Sequence, residues 1–129
     1  MSKRLFFIFI IAFFLNFIWE ELHSQLYTHY KGESITHLVL VYAALFDAFV
    51  IFIAAVLFFY ISILRDRISI IFLILIIFAI GLEIFALETG RWQYNSFMPI
   101  IPALGVGFTP TIQLGLLAYF SIRISSWVD

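Results

Sequence analysis

Residues 68–88 read ISIIFLILIIFAIGLEIFALE, a run that is almost wholly apolar but carries two carboxylates near its end, Glu83 and Glu88. About 20 mainly apolar residues in a helix are enough to cross the hydrocarbon core of a bilayer. A charged side chain at bilayer depth costs roughly 2.5–3.5 kcal/mol on insertion scales. The run therefore predicts a membrane-spanning helix whose carboxylates face a polar interior, pair with other groups, or take part in chemistry.

The rest of the chain has the same character. Hydrophobic residues make up 64% of the 129 residues and charged residues 12%, whereas a typical soluble domain is about 25% charged. Apolar runs of spanning length also occupy about residues 5–26, 36–64 and 109–127. The sequence predicts an all-α fold, a four-helix transmembrane bundle that forms one integral membrane domain over residues 1–129.

The basic residues predict the orientation in the membrane, because Lys and Arg are enriched in cytoplasmic connections. With four spans, one side holds Lys3, Arg4, Arg65, Arg67 and Arg123, and the other holds Lys31 and Arg91. Both termini are therefore predicted to be cytoplasmic, with connections 28–35 and 90–108 outside. No small-x-small cleavage site follows the first run, so we interpret it as a retained helix and not as a signal peptide.

The connection over residues 90–108 is too rich in helix breakers to form one regular helix, since it contains Pro99, Pro102, Gly105 and Gly107. It is also too apolar for a free loop. Irregular backbone at membrane depth requires cover from protein or water. We expect this segment to lie on the membrane surface or to dip back partly between the helices, where it would act as a lid.

Polar side chains recur inside the predicted spans. Asn16, Glu20 and His23 are spaced i, i+4, i+7 and share one helical face, which Trp19 flanks. The other three spans carry Asp47, Glu83 with Glu88, and Gln113. The predicted topology places all of these groups in the outer half of the membrane. The pattern predicts a polar cavity between the helices that opens to the outer side.

Carboxyl groups in such a cavity suit acid–base chemistry. A carboxyl in apolar surroundings retains its proton and can act as a general acid, while a better solvated or paired one stays ionised as a base. The predicted catalytic residues are Glu20 and Glu83 as acid and base, His23 as a proton relay, and Asp47. The predicted ligand-binding residues are Asn16, Trp19, Glu88, Arg91, Trp92, Tyr94 and Gln113.

Several of these residues also have a purely structural interpretation. Asn16 and Gln113 could link helices by hydrogen bonds, which contribute about 0.6 kcal/mol per pair in membranes. Arg91 follows Glu88 by three residues, so the two could form an interfacial ion pair if the helix continues that far. Three ionisable groups on three separate spans, Glu20, Asp47 and Glu83, are harder to explain in this way.

Other chemistries find little support in the sequence. The chain has no cysteine, which excludes thiol catalysis and thiolate metal sites, and its net charge of -1 gives no reason to expect nucleic-acid binding. Residues 20–23 form one Glu-x-x-His pair, whereas a carboxylate-bridged di-iron site needs two such pairs and two further glutamates. We therefore predict no metal and no cofactor.

Two segments resemble a known group of proteins. Residues 16–20 read NFIWE, and residues 90–94 read GRWQY, followed by Met98-Pro99 and by GVGFTP at residues 105–110 with Gln113. In these features the chain resembles a group of small bacterial inner-membrane proteins that have no assigned activity. The resemblance implies location in a bacterial inner, or cytoplasmic, membrane.

A looser resemblance involves Trp92, Tyr94, Gly105 and Pro110. These residues resemble the outline of the membrane-embedded, heterodimeric type of lycopene cyclase domain, which has a Trp-x-Tyr, a Gly-rich turn and a Pro-x-Glu-Glu motif. This chain departs from that motif, since residues 110–113 read PTIQ. Because Gln113 cannot act as an acid, cyclase-like chemistry would have to take its proton from Glu20 or Glu83.

The leading functional hypothesis is the binding, and the acid–base conversion, of an apolar membrane lipid or isoprenoid-like molecule. A second hypothesis is a small transporter or proton-conducting module, for which Asp47 at mid-depth would be needed. The inner halves of the predicted helices are almost purely apolar, which disfavours it. A third hypothesis is an accessory or scaffold subunit of a membrane complex, as a homo- or hetero-oligomer whose carboxylates pair with a partner's cations.

Overall fold

The computed structural model describes residues 2–127. The described part of the chain folds into the helices α1 (Ser2–His23), α2 (His37–Tyr60), α3 (Ile68–Glu88) and α4 (Phe108–Ser125). Three segments are long and apolar enough to cross a membrane, namely Lys3–Leu26, His37–Tyr60 and Ile68–Glu88. The prediction of a mainly helical fold is therefore confirmed, and three of the helices have the length and composition of membrane spans.

The predicted boundaries differ most at the end of α2. Apolar residues continue to Leu64, and the predicted span ended there, but the helix ends at Tyr60. The chain then reverses through turns between Ile61 and Arg67, with Asp66 in the left-handed region at a φ of 62°. Residues 61–64, which are apolar except for Ser62, were thus assigned to the helix although they belong to the turn.

Helix α4 has 18 residues and is not among the three segments of spanning character. It is the most enclosed of the helices, because ten of its residues are buried, and it packs against α1, α2 and α3. A helix surrounded by other helices does not need an apolar surface, so α4 can carry polar residues such as Thr111, Gln113 and Ser121 on buried positions. That α4 itself crosses the membrane stays a prediction.

A small sheet joins the two connections that were predicted to lie outside. Strand β1 (Tyr27–Tyr30) follows α1 after one 3₁₀ turn at Ser24–Leu26, and it pairs antiparallel with β2 (Trp92–Tyr94). Tyr27 lies opposite Tyr94, and Tyr30 lies opposite Trp92. The all-α prediction missed this sheet, which fixes part of the segment 90–108 against the end of α1.

The apolar core fills the end of the molecule away from this sheet. Ile8, Ile51 and Ile71 are completely or almost completely buried there, together with small alanines such as Ala12 and Ala55. At the same end the Arg4 Nε atom donates to Ser125 Oγ at 3.1 Å. The start of α1 therefore lies beside the end of α4, and the sheet lies at the opposite end of the helices.

The seam between helices α2 and α3 is loosely packed. Helix α1 packs mainly on α2 and α4, and α3 packs mainly on α4. Helices α2 and α3 follow each other in the chain but share few contacts. The space between them, on the side nearer the sheet, is where the cavity described below is found.

Candidate functional site

A cavity of about 320 Å³ lies between the helices beneath the two-stranded sheet. All four helices contribute to its wall, as do β1 and β2. Its apolar lining includes Val39, Leu40, Phe46, Leu82, Phe85 and Leu114. Phe46 on α2 is 48% exposed and Phe85 on α3 is 50% exposed, so the cavity reaches the outer surface of the molecule at the seam between these two helices.

Three carboxyl groups from three helices open on this cavity. Glu20 comes from α1, Asp47 from α2 and Glu83 from α3. Asp47 is only 8% exposed and Glu83 only 4%. The structure therefore brings together the three acidic residues that the sequence placed on separate spans, and it surrounds them with apolar side chains.

Gln113 of α4 connects two of these carboxyls. Its amide nitrogen lies 2.9 Å from Glu20 Oε1 and 3.0 Å from Asp47 Oδ2. The same nitrogen lies 3.0 Å from Asn16 Oδ1. Asn16 is held in turn by donation from its Nδ2 atom to the carbonyl of Ala12 at 2.7 Å. One buried amide thus links α4 to α1 and α2 at the floor of the cavity.

Glu83 has different partners. Its Oε1 atom accepts hydrogen bonds from the phenols of Tyr27 at 3.1 Å and Tyr94 at 2.6 Å. The Tyr94 oxygen also accepts the backbone N–H of Gly107 at 3.0 Å. Both strands therefore place a phenol on one carboxylate oxygen, which is the arrangement that stabilises an ionised carboxylate.

The two phenols resist ionisation. Burial raises the pKa of Tyr27 well above its ordinary value, and the nearby charge of Glu83 acts in the same direction. Burial also raises the pKa of Tyr94, and its hydrogen bond to Glu83 adds to this effect. Both side chains consequently remain hydrogen-bond donors to Glu83 throughout the physiological pH range.

His23 lies behind Glu20, on the side away from Gln113. Its Nε2 atom is 2.7 Å from Thr109 Oγ1, and that hydroxyl lies 3.4 Å from Met98 Sδ as a donor. The Nδ1 atom of the same ring is buried without a hydrogen-bond partner, 4.0 Å from Glu20 Oε2.

The other predicted site residues lie in two groups. Arg91 and Trp92 line the cavity, and the Trp92 Nε1 atom is buried without a hydrogen-bond partner. Tyr94 and Asn16 do not line the cavity. Tyr94 donates a hydrogen bond to Glu83 and Asn16 accepts one from Gln113, and both of those partners line it. Trp19 packs against the apolar core, and Glu88 is exposed outside the cavity.

The proposed ion pair between Glu88 and Arg91 is not formed. Helix α3 ends at Glu88, and the chain turns at Gly90, whose φ is 72°. Arg91 is therefore no longer three residues along the same helix, and its guanidinium lies 5.2 Å from the centre of the Phe85 ring. Within residues 2–127 the carboxylates that come within 4.0 Å of a basic group do so only with histidines.

Sequence reasoning missed Tyr27 and Thr109 as parts of the site. Tyr27 follows His23 by four residues and Glu20 by seven, so it continues the helical spacing of these polar residues, and that spacing could have indicated it. Thr109 had no such signal, because its partner His23 is distant in the sequence.

No group of three or more His, Asp or Glu side chains in the part of the chain that the structure describes is arranged to hold a metal ion. The chain was also compared with known proteins. No family model, no curated protein and no solved structure matches it. The two resemblances noted from the sequence therefore stay predictions.

Proposed function

We propose that this chain is a membrane-embedded four-helix protein that binds an apolar lipid or isoprenoid-like molecule in its cavity and converts it by acid–base chemistry. The observation that carries the proposal is the opening of three carboxyls, from three helices, on one cavity with apolar walls. Ionisable groups inside membrane helices persist where they line a cavity, pair with one another or act on a substrate.

The proposed ligand enters from the bilayer. Phe46 and Phe85 line the cavity and also face the surroundings at the seam between α2 and α3. In a membrane those surroundings are lipid chains. With both termini in the cytoplasm, as the basic residues predict, the cavity lies in the outer half of the bilayer and the sheet covers it.

The size of the cavity suits part of a lipid-like molecule. Small-molecule pockets range from about 300 to 1,000 Å³, and the volume here, about 320 Å³, is at the lower end of this range. A head group or one reacting unit of the molecule would fill the cavity. The remaining chain would extend through the seam into the bilayer, where the exposed ring of Phe85 borders its path.

The carboxyls permit a balanced isomerisation. One protonated carboxyl adds its proton to a carbon of a C=C bond, which leaves a carboxylate and a carbocation. The Glu83 carboxylate then removes a proton from a neighbouring carbon, and that C–H electron pair forms the new double bond. The ligand keeps its composition, one proton has moved to Glu83, and return of that proton to the first carboxyl restores the starting state.

The two alternative functions have less support. A proton or ion pathway would have to continue past Asp47 to the other end of the helices, where the apolar core containing Ile8, Ile51 and Leu75 fills the interior. A scaffold subunit would offer its carboxylates to a partner, whereas Glu20 and Glu83 accept hydrogen bonds from groups of the same chain.

Binding can be tested with cis-parinaric acid, a linear polyene lipid that accepts energy from tryptophan. The protein would be placed in lipid vesicles as the variant Trp19→Phe/Trp127→Phe, which keeps Trp92 in the cavity wall as the sole tryptophan donor. We expect saturable energy transfer from Trp92 to the probe. Transfer that rises only in proportion to the probe in the bilayer would contradict the proposal.

A matched pair of variants distinguishes the cavity from the lipid surface. Ala43→Phe adds a ring to a lining residue of α2, while Leu45→Phe places a ring on a residue of the same helix that is 40% exposed and outside the lining. Saturable transfer should fall at least tenfold in apparent affinity for the first variant and be unchanged for the second. Equal binding by both variants would exclude the cavity as the site.

The chemical step can be tested on lipids that the protein itself extracts from the membrane. In D₂O, reversible protonation of a double bond replaces hydrogen by deuterium in the bound lipid, which mass spectrometry detects. We expect the wild type to incorporate deuterium and Glu83→Gln to lose most of this exchange. The absence of exchange in the wild type, with binding intact, would reduce the function to binding alone.

A further inference from the structure

The amide nitrogen of Gln113 has more hydrogen-bond acceptors around it than hydrogens to donate. Three acceptor oxygens lie within 3.0 Å of one amide nitrogen, namely Asn16 Oδ1, Glu20 Oε1 and Asp47 Oδ2. A primary amide nitrogen carries only two hydrogens. The Asn16 side chain cannot reverse to relieve this shortage, because its own amino group donates to the Ala12 carbonyl.

The two carboxyls in this cluster also approach each other. Glu20 Oε1 and Asp47 Oδ2 lie 2.9 Å and 3.0 Å from the same Gln113 nitrogen, so the two carboxyls are immediate neighbours. Asp47 is more than nine-tenths buried, and no Lys or Arg comes within 4.0 Å of either group in the part of the chain that the structure describes. Two adjacent like charges in apolar surroundings do not both ionise; closely spaced carboxyl pairs in enzymes instead hold a single proton.

We infer that Glu20 and Asp47 share one proton and together form the single acid of the cavity, with Gln113 as the residue that positions them. One hydrogen of Gln113 is then donated to Asn16 and the other to the carboxyl pair, while the shared proton satisfies the remaining acceptor. Each oxygen near the amide nitrogen has a donor in this arrangement, and the pair carries one negative charge.

Glu83 takes the opposite role. Two phenol donors converge on its Oε1 atom, and its other carboxylate oxygen receives no hydrogen bond from residues 2–127 while the residue lines the cavity. In the proposed scheme Glu83 is the ionised carboxylate, and its second oxygen is the base on the cavity side. The acid and the base thus come from different parts of the wall, whereas the sequence left open which of Glu20 and Glu83 is the acid.

His23 provides a path by which the shared proton is replaced. The Nδ1 atom of His23, buried and without a partner, lies 4.0 Å from Glu20 Oε2. A small movement of either side chain would close this gap to a hydrogen bond. The use of the pair in catalysis rests on the proposed function, but the presence of the shared proton does not, so the two can fail separately.

Infrared spectroscopy of the protein in lipid tests the inference without any ligand. A protonated carboxyl shows a C=O stretch that is separate from the bands of ionised carboxylates and that shifts in D₂O. At neutral pH we expect this band in the wild type, in Glu83→Gln and in the surface control Glu88→Gln, and we expect its loss in Glu20→Gln/Asp47→Asn. The absence of the band in the wild type, or its loss in Glu83→Gln, would overturn the inference.

A second measurement avoids any risk of misfolding. Wild-type protein is prepared with ¹³C in the carboxyls of aspartate and, separately, of glutamate, and the C=O band is recorded again. A proton shared by Glu20 and Asp47 predicts that both labels change the band. A band that responds to neither label would refute a protonated side chain, and one that responds to a single label would refute sharing.

Discussion

The phenol of Tyr94 donates to Glu83 Oε1 at 2.6 Å, while its oxygen accepts the backbone N–H of Gly107 at 3.0 Å. This one hydroxyl therefore connects strand β2 to helix α3 and to the residue that precedes α4. It does so at the cavity wall, so the segment over the cavity and the carboxylate inside it are held by the same side chain.

Tyr94→Phe should make the protein less sensitive to alkali. The pKa of Tyr94 is raised in the fold above the ordinary value of 10.0. Its stabilising contribution is thus complete below pH 10.0 and is lost as the pH rises from there through the raised pKa, because the unfolded chain releases the proton first. The free energy of unfolding, followed by circular dichroism in mixed micelles, should fall less steeply with pH in the variant. An equal or steeper fall would contradict this.

Gln113→Leu should destabilise the protein by about 3 kcal/mol, because buried carboxyl oxygens and the Asn16 oxygen lose their common donor. Gln93→Leu is the matched control, since Gln93 is exposed on β2, and its effect should stay within about 0.5 kcal/mol. Unfolding titrations with sodium dodecyl sulfate measure both. Equal stabilities for the two variants would show that the amide does not hold the helices together.

Gly115 allows α3 and α4 to approach closely. A Cβ atom at this position would lie 3.2 Å from the Phe72 backbone oxygen, whereas a Cβ atom at Gly81 would meet nothing within 4 Å. Gly115→Ala should therefore cost about 1 kcal/mol through overpacking, and Gly81→Ala should be neutral or stabilising, because alanine is the better helix former. The same titration with sodium dodecyl sulfate measures the stability of both variants. A neutral Gly115→Ala would mean that the interface is looser than described.

The topology can be tested with single cysteines, since the natural chain has none. A membrane-impermeant maleimide added outside intact cells should label Ser34→Cys and Ser96→Cys, but not Asp66→Cys or Ser126→Cys until the membrane is opened. All four positions are exposed in the fold. If α4 does not cross the membrane, Ser126→Cys will instead be labelled together with Ser96→Cys.

The helices could be predicted from the sequence because each spanning helix is a single continuous run of mainly apolar residues. The third span was predicted as residues 68–88, and α3 runs from Ile68 to Glu88. The paired strands were not accessible, because Tyr27–Tyr30 and Trp92–Tyr94 are short and form a sheet only with each other. Pairing between distant segments leaves no periodic pattern in either one.

The candidate site was accessible only in part. Helical spacing placed Asn16, Glu20 and His23 on one face, and the cost of buried charge indicated Asp47 and Glu83. The sequence could not show that Gln113 joins two of these carboxyls while two tyrosines hold the third. Which side chain contacts which carboxyl depends on the orientation of each of the four helices about its own axis in the bundle. The sequence of a single span does not determine that orientation.

The central claim is that a protonated carboxyl lies in a cavity open to lipid. Dicyclohexylcarbodiimide tests it most directly, because this apolar reagent enters from the bilayer and modifies carboxyls that carry a proton. Peptide mass spectrometry of the treated protein should locate the adduct on Glu20 or Asp47, with its yield reduced at least fivefold by Ala43→Phe and unchanged by Leu45→Phe. Modification confined to exposed acids such as Glu88, or an adduct on the cavity carboxyls that both variants form equally, would contradict the account.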